Sequence, residues 1–145
     1  MHIVLNSIPF TPSRMKELVL WEFRAKNIVF DVDWTLIGRN LDLHSWVVRP
    51  GAVESLRALH ESGVEVFLWS GGGKEHCEEV RDFLELQDVI QGCWRKPEFP
   101  MTKESAIERL GFVPAVTVDD DTHERIDGID FLEVKGFTGM DDVLE

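Results

Sequence analysis

Cysteine is scarce: the 145-residue chain has two, Cys77 and Cys93. That excludes a disulfide-stapled scaffold and favours two reduced thiols in an intracellular protein, packed rather than catalytic. Basic residues are also few. Fifteen Lys and Arg face twenty-seven Asp and Glu, a net charge of −12, and such a field repels nucleic acid and anionic membrane. No apolar run approaches the roughly 20 residues of a membrane span. The opening MHIVLNSIPF lacks the basic stretch, long apolar segment and small-residue cleavage site of a secretory signal, so a cytoplasmic location is expected. No repeat, low-complexity tract or Pro/Gly/Ser linker interrupts the chain, and residues 1–145 read as one domain. At 43% hydrophobic and 29% charged residues, the composition is that of a globular protein able to bury a core without staples.

Strands and helices alternate along the chain. Residues 2–5 read as a short strand. Thr11-Pro12-Ser13 suits a helix start, with the helix running to about Ala25 although its apolar positions are not cleanly one-sided. Ile28-Val29-Phe30 is a continuous apolar run, as in a strand covered on both faces, and it leads into Asp31. Residues 37–48 read as a loop or small hairpin, and Arg49-Pro50-Gly51 as punctuation. Val53, Leu56, Leu59 and His60 recur at helical spacing, with Gly63 at the helix end. Val64 to Trp69 is a strand ending at Ser70 and three glycines. A helix follows with Cys77, Val80, Phe83 and Leu84 on one face. A short strand around Val89–Trp94 precedes Arg95-Lys96-Pro97. Thr102 caps a third helix, with Ala106, Ile107 and Leu110 inward. Ala115 to Val118 is a strand entering Asp119-Asp120-Asp121. A helical turn and a last strand, Phe131 to Val134, close the pattern. Such alternation predicts an α/β domain: a three-layer Rossmann-like arrangement around a central, mainly parallel sheet. In such sheets ligands bind beyond the carboxyl ends of the strands, and here three strands deliver Asp31, Ser70 and Asp119-Asp120 to that edge.

Each motif has its own chemistry. In Asp31-Val32-Asp33-Trp34-Thr35, two carboxylates two positions apart can act as a nucleophile, forming an aspartyl-phosphate, and as a proton donor and acceptor. Ser70 with Gly71 offers a hydroxyl and approachable backbone N–H groups to a phosphate. Lys96 supplies a cation, with Lys74 and Lys103 as substitutes. Asp119, Asp120, Asp121 and Glu124 form an anionic cluster. Beside Asp31 and Asp33, it would need a hard divalent cation such as Mg²⁺ to offset the repulsion. Each motif taken singly also fits a solvated acidic turn, an ordinary strand-to-helix turn or a surface lysine.

Taken in order, the motifs resemble those of the haloacid dehalogenase-like superfamily of phosphohydrolases. IVFDVDWTL is similar to its first motif, VEVFLWS to its second, RKP to its third and VTVDDD to its fourth. RPGAVESLRALHESG is similar to the helix that commonly joins the first two. The resemblance covers roughly Asn27 to Val134, leaving residues 1–26 as an N-terminal extension. It implies that Asp31 is the nucleophile and a metal ligand, and that Asp33 is the general acid and base with its backbone carbonyl on the metal. Thr35 would brace the loop, Ser70 and Lys96 would hold the phosphoryl group, and Asp120 would complete a Mg²⁺ site. The superfamily's fourth motif takes an Asp-Asp form or one with a second acid four residues on, so Asp119-Asp120 and Asp120…Glu124 both fit. Trp34 is bulkier than the glycine common there. Aspartate at position 33 points to a phosphatase or phosphotransferase rather than a dehalogenase.

The implied activity is Mg²⁺-dependent hydrolysis of a phosphomonoester, small or larger, with a nucleic-acid end disfavoured by the charge. The intervals Ile37–Arg49 and Gly71–Arg95 have room for a hairpin and for one helix and a strand. A cap domain is therefore not expected, and the open site would be walled only by a large substrate or a second subunit. Two other readings stand beside this one: a catalytically silent scaffold of the same fold that binds a partner, and a phospho-acceptor signalling receiver. The receiver order, with an acidic pair first and lysine last, is not the order here. A calcium loop through Asp31, Asp33 and Asp42 fails because Leu36 occupies the glycine position. Among the histidines only His123, in the acidic loop, lies near the candidate chemistry. Trp46, Trp69 and Trp94 are expected to pack rather than stack on ligands.

Overall fold

The computed structural model describes residues 1–42 and 44–140. Six parallel strands form the central sheet: β1 (His2–Leu5), β2 (Asn27–Asp31), β5 (Glu65–Ser70), β6 (Ile90–Arg95), β7 (Val116–Asp119) and β8 (Asp130–Val134). Their spatial order is β1-β8-β7-β2-β5-β6. A separate antiparallel hairpin, β3 (Ile37–Asn40) and β4 (Ser45–Val48), follows β2. Helices α1 (Pro12–Lys16), α2 (Ala52–Glu61), α3 (Lys74–Phe83) and α4 (Lys103–Leu110) flank the sheet.

The alternation of side chains along each strand builds the three layers. Ile28 and Phe30 of β2, with Val66 and Leu68 of β5, face a core completed by Met15, Leu56, Leu59, Cys77 and Val80 from the first three helical segments. Val29, Phe67 and Trp69 face the opposite way, onto Ala106 and Leu110 of α4 and onto Ile126 and Ile129. Ile28, Val29 and Phe30 are fully buried, as a strand covered on both faces requires. Burial of this kind stabilises by about 1.5–3 kcal/mol per large apolar side chain. The structure thus has the three-layer α/β architecture expected from the sequence, with every pairing in the main sheet parallel.

The N-terminal helix departs from the expected regular helix to Ala25. Thr11 Oγ1 accepts the Arg14 N–H at 3.2 Å and Pro12 occupies the first turn, as predicted. After Lys16 the chain widens into a π-helical turn, Glu17–Glu22, closed by the Phe23 N–H on the Leu18 carbonyl. Spacing of five residues puts Leu18 and Phe23 on one face, which explains why a 3.6-residue period describes this stretch poorly. Two smaller departures concern inward faces. Phe83 is half-exposed at the end of α3, edge-on to Trp46 at 5.2 Å, and Ile107 is only partly buried. The two cysteines are buried as expected, and each influences the other's titration, Cys77 being pushed up and Cys93 down.

The chain runs β2, β5, β6 toward one edge, then crosses through α4 to β7 on the other side of β2. Strand order reverses there, so the carboxyl ends of β2 and β7 flank the crevice where ligands bind in such sheets. Among the described residues, the interval between β2 and α2 carries only the hairpin and that between β5 and β6 only α3. No helix among them is long and apolar enough to cross a membrane.

Candidate active site

Asp31, the last residue of β2, is 6% exposed. Its Oδ2 accepts the Thr35 hydroxyl at 2.8 Å, and its Oδ1 lies 2.8 Å from Lys96 Nζ. Thr35 reaches back because the chain reverses straight after the strand: Leu36 N–H bonds the Val32 carbonyl at 2.9 Å and Trp34 N–H the Ile37 carbonyl at 2.7 Å. The reversal puts Trp34 at φ +66°, a left-handed conformation that costs an L-residue about 1 kcal/mol and explains why glycine suits the position. The Phe137 N–H holds the Trp34 carbonyl at 2.8 Å, and the indole stays 42% exposed beside the cleft.

Arg49 supports this loop from behind. Its fully buried guanidinium donates to the carbonyls of Ile8 (2.5 Å), Ser7 (2.8 Å) and Thr35 (3.2 Å), and it sits 4.2 Å over the Phe10 ring. One side chain therefore ties the N-terminal segment to the loop that holds Asp31. Gly51 allows the approach, since a side chain there would collide with the Phe10 carbonyl and its φ is +78°. The sequence marks Arg49-Pro50-Gly51 only as punctuation, because a guanidinium's partners 41 and 42 residues away leave no local signal.

Lys96 follows β6, and its own N–H bonds the Ser70 carbonyl at 3.0 Å. Nζ lies 2.8 Å from both Asp31 and Asp119 and 3.9 Å from Glu124. Asp31, Asp119 and Asp120 each present an oxygen within 4.8 Å of the others. One ammonium thus faces three carboxylates. Burial first, and the Asp119 charge second, push Asp31 up to about 8, against the lowering pull of Lys96 and Thr35. Burial and Asp119 likewise raise Asp120 to about 6. Burial by itself would lower Lys96, but Asp31 and Asp119 hold it above its ordinary value, so it remains charged. The extra proton belongs to the carboxylates as a group. Burial also raises Glu124.

Three hard oxygen donors with more negative charge than one lysine neutralises are a fitting donor set for Mg²⁺. Of the two fourth-motif forms, the geometry brings together Asp119 and Asp120 with Asp31, while Glu124 stands farther out at the rim. Asp121 lines the cleft, but its carboxyl is engaged by His123. Its Oδ1 accepts the His123 N–H at 2.9 Å, capping the short 3₁₀ turn Thr122–Glu124, and that bond, with the His123 ring, holds its carboxyl below the usual range. His123 points to solvent with its ring 2.9 Å from Asp121. Lys74 and Lys103 are exposed and outside the cleft.

The cleft is open, about 260 Å³, and is lined by Asp31, Asp33, Trp34, Gly71, Gly72, Lys96, the three aspartates 119–121 and Glu124. Ser70 is buried at its side. Its hydroxyl oxygen accepts the Gly72 N–H at 3.0 Å, and Gly71 and Gly72 present the backbone of this turn to the cleft. Asp33 meets a partner that the sequence does not single out: His76 Nε2, in the first turn of α3, lies 3.0 and 3.2 Å from its two carboxyl oxygens. The two are 43 residues apart, and a lone histidine in a polar helix face carries no mark of such a role. The arrangement can hold a phosphoryl group among Lys96, the Gly71–Gly72 turn and a carboxylate-bound cation. Two carboxyl groups, those of Asp31 and Asp33, line the same cleft.

No curated protein and no solved structure matches the chain. A family model, described as "Protein of unknown function (DUF705)", matches residues 4–90, the stretch from β1 to the start of β6 that carries Asp31, Asp33, Thr35, Arg49, Ser70 and His76. The chain belongs to the DUF705 family.

Proposed function

We propose that the chain is a Mg²⁺-dependent phosphomonoesterase of the haloacid dehalogenase-like type, acting through an aspartyl-phosphate on Asp31. One observation carries the reading. A buried carboxylate at the end of β2 is fixed by Thr35 and Lys96, and it shares a 4.8 Å cluster with Asp119 and Asp120 across the switch point of the sheet. A merely structural acidic turn would be solvated, not buried with its charges facing one another.

In this reading an Asp31 oxygen attacks phosphorus as the bond to the leaving oxygen breaks, and that oxygen takes a proton from Asp33. Asp33, now a carboxylate, then takes a proton from water, whose oxygen attacks the same phosphorus and displaces Asp31 as a free carboxylate. Lys96 and the Ser70–Gly72 turn hold the phosphoryl oxygens through both steps. Asp31, Asp120 and the Asp33 backbone carbonyl would hold Mg²⁺, with Asp119 beside them. When bound, the ion would offset the repulsion between these carboxylates and a phosphate dianion.

An open cleft with one hairpin and one helix at its margins supports a site that takes the phosphoryl group and leaves the rest of the substrate largely uncovered. The test is hydrolysis by the purified chain with Mg²⁺ of sugar phosphates, nucleotides, phosphopeptides and an aryl phosphate, together with acid-trapping of phosphoenzyme. Metal-dependent turnover with label on Asp31 supports the proposal. Silence across the panel with Mg²⁺ present refutes it and favours a scaffold that only binds.

A further inference from the structure

His76 belongs to none of the motifs, yet it is built into the site with care. The ring is 18% exposed and its Nε2 faces both oxygens of Asp33, itself 31% exposed. Trp46 of the hairpin stands edge-on behind it at 5.7 Å. Gly72 makes room in front, since a Cβ at that position would lie 3.1 Å from His76 Cδ2. Helix α3, the hairpin and the Ser70–Gly72 turn thus converge to hold one imidazole against one carboxyl group. A part-exposed pair of this kind adds little to stability, so its precise placement calls for another use.

We propose that His76 is the positioning residue for Asp33: it donates its Nε2–H to the Asp33 carboxyl group and keeps one oxygen aimed at the cleft. The inference rests on the phosphatase reading above. A carboxyl group that exchanges a proton twice per turnover alternates between acid and carboxylate. In either form one oxygen can accept from Nε2–H while the other carries, or receives, the travelling proton. Without the imidazole, Asp33 sits on a turn with free rotation about its side-chain bonds, and the reactive orientation becomes one of several. The Trp46 ring fixes the imidazole, and the imidazole fixes the acid.

The experiment measures single-turnover formation and breakdown of the phosphoenzyme, with Mg²⁺, from p-nitrophenyl phosphate and from glycerol phosphate. Variants are His76→Ala, His76→Phe, which keeps a ring against Trp46, and His76→Gln, whose amide nitrogen can reach the place of Nε2. An alkoxide leaves only with a proton, whereas a nitrophenolate needs little help. Loss of the donor should slow phosphoenzyme formation from glycerol phosphate at least about 10-fold and from p-nitrophenyl phosphate less than about 3-fold, and should slow breakdown equally for both. His76→Gln should recover most of the rate, and in an Asp33→Asn background the Ala and Phe changes should add nothing. Equal slowing of formation on both substrates, or full additivity with Asp33→Asn, overturns the role of His76 while leaving the phosphatase reading intact. If the unaltered chain forms no phosphoenzyme from either ester, both proposals fall together.

Discussion

Replacing Asp31 by Asn tests the site at its most buried charge. The amide is nearly isosteric, so Lys96 keeps an oxygen to bond, and the Thr35 hydroxyl can turn to accept from the new NH₂ group. What changes is titration. Asp31 is raised in the folded chain from 3.8 to about 8, so the native state holds a proton that the unfolded chain gives up above pH 4. The contribution of this group to stability is therefore largest in acid and is lost as pH rises toward 8. The loss is about 1.4 kcal/mol per pH unit at most. Asparagine has no such dependence, and titrating groups outside the Asp31, Asp119 and Asp120 cluster cancel between the two proteins. Between pH 5 and pH 7, without metal, the stability of Asp31→Asn relative to the parent should grow by up to about 3 kcal/mol. That corresponds to a relative rise in Tm on the order of 5–10 °C for a chain of this size. Mg²⁺ should stabilise the parent at pH 7 and narrow the gap, and the variant should be inactive because an amide is a poor nucleophile. Thermal and urea unfolding at the two pH values, with and without Mg²⁺, measure all of this. A gap that stays constant or shrinks as pH rises refutes the electrostatic account, and retained phosphatase activity refutes Asp31 as nucleophile.

Three further outcomes follow from the same geometry. Activity should vanish in EDTA and return with Mg²⁺, and Asp120→Ala should raise the Mg²⁺ concentration for half-maximal rate at least about 10-fold, read from metal titrations of turnover. Asp33→Asn should let phosphoenzyme accumulate from an aryl phosphate, because the leaving phenolate needs little protonation while the attacking water still needs a base; acid-quenched labelling reads this directly. Arg49→Met should destabilise the chain by about 3 kcal/mol in urea unfolding, since it removes the Arg49 donor from the buried carbonyls of Ile8 and Thr35 and the part-buried one of Ser7, and Arg49→Lys should recover little because an ammonium cannot reproduce the planar fork.

The contrast between β2 and the N-terminal helix shows where local sequence suffices. Ile28-Val29-Phe30 ending in Asp31, and the glycines after Ser70, are signals contained in a few neighbouring residues. The alternation of strand and helix then implies a parallel sheet with its strand ends on one edge. So the fold class could be read from the chain alone, as could Asp31, Asp33, Ser70, Lys96 and Asp120 as candidates for one edge of the sheet. The π-helical turn at Glu17–Glu22 could not, because its period is set by how Leu18 and Phe23 pack on the core.

The site's finer design depended on residues far apart in the chain. Lys96 joins Asp31 to Asp119 across intervals of 65 and 23 residues, and that meeting decides that Asp119 rather than Glu124 stands beside Asp31 and Asp120. His76 finds Asp33 only because α3 starts beside the turn after β2, and Arg49 finds Thr35 only because the hairpin returns the chain beneath it. A side chain's type and its neighbours in sequence set which chemistry it can do. Burial, partner and protonation are properties of the space around it, and that space exists only once the sheet has brought its strand ends together.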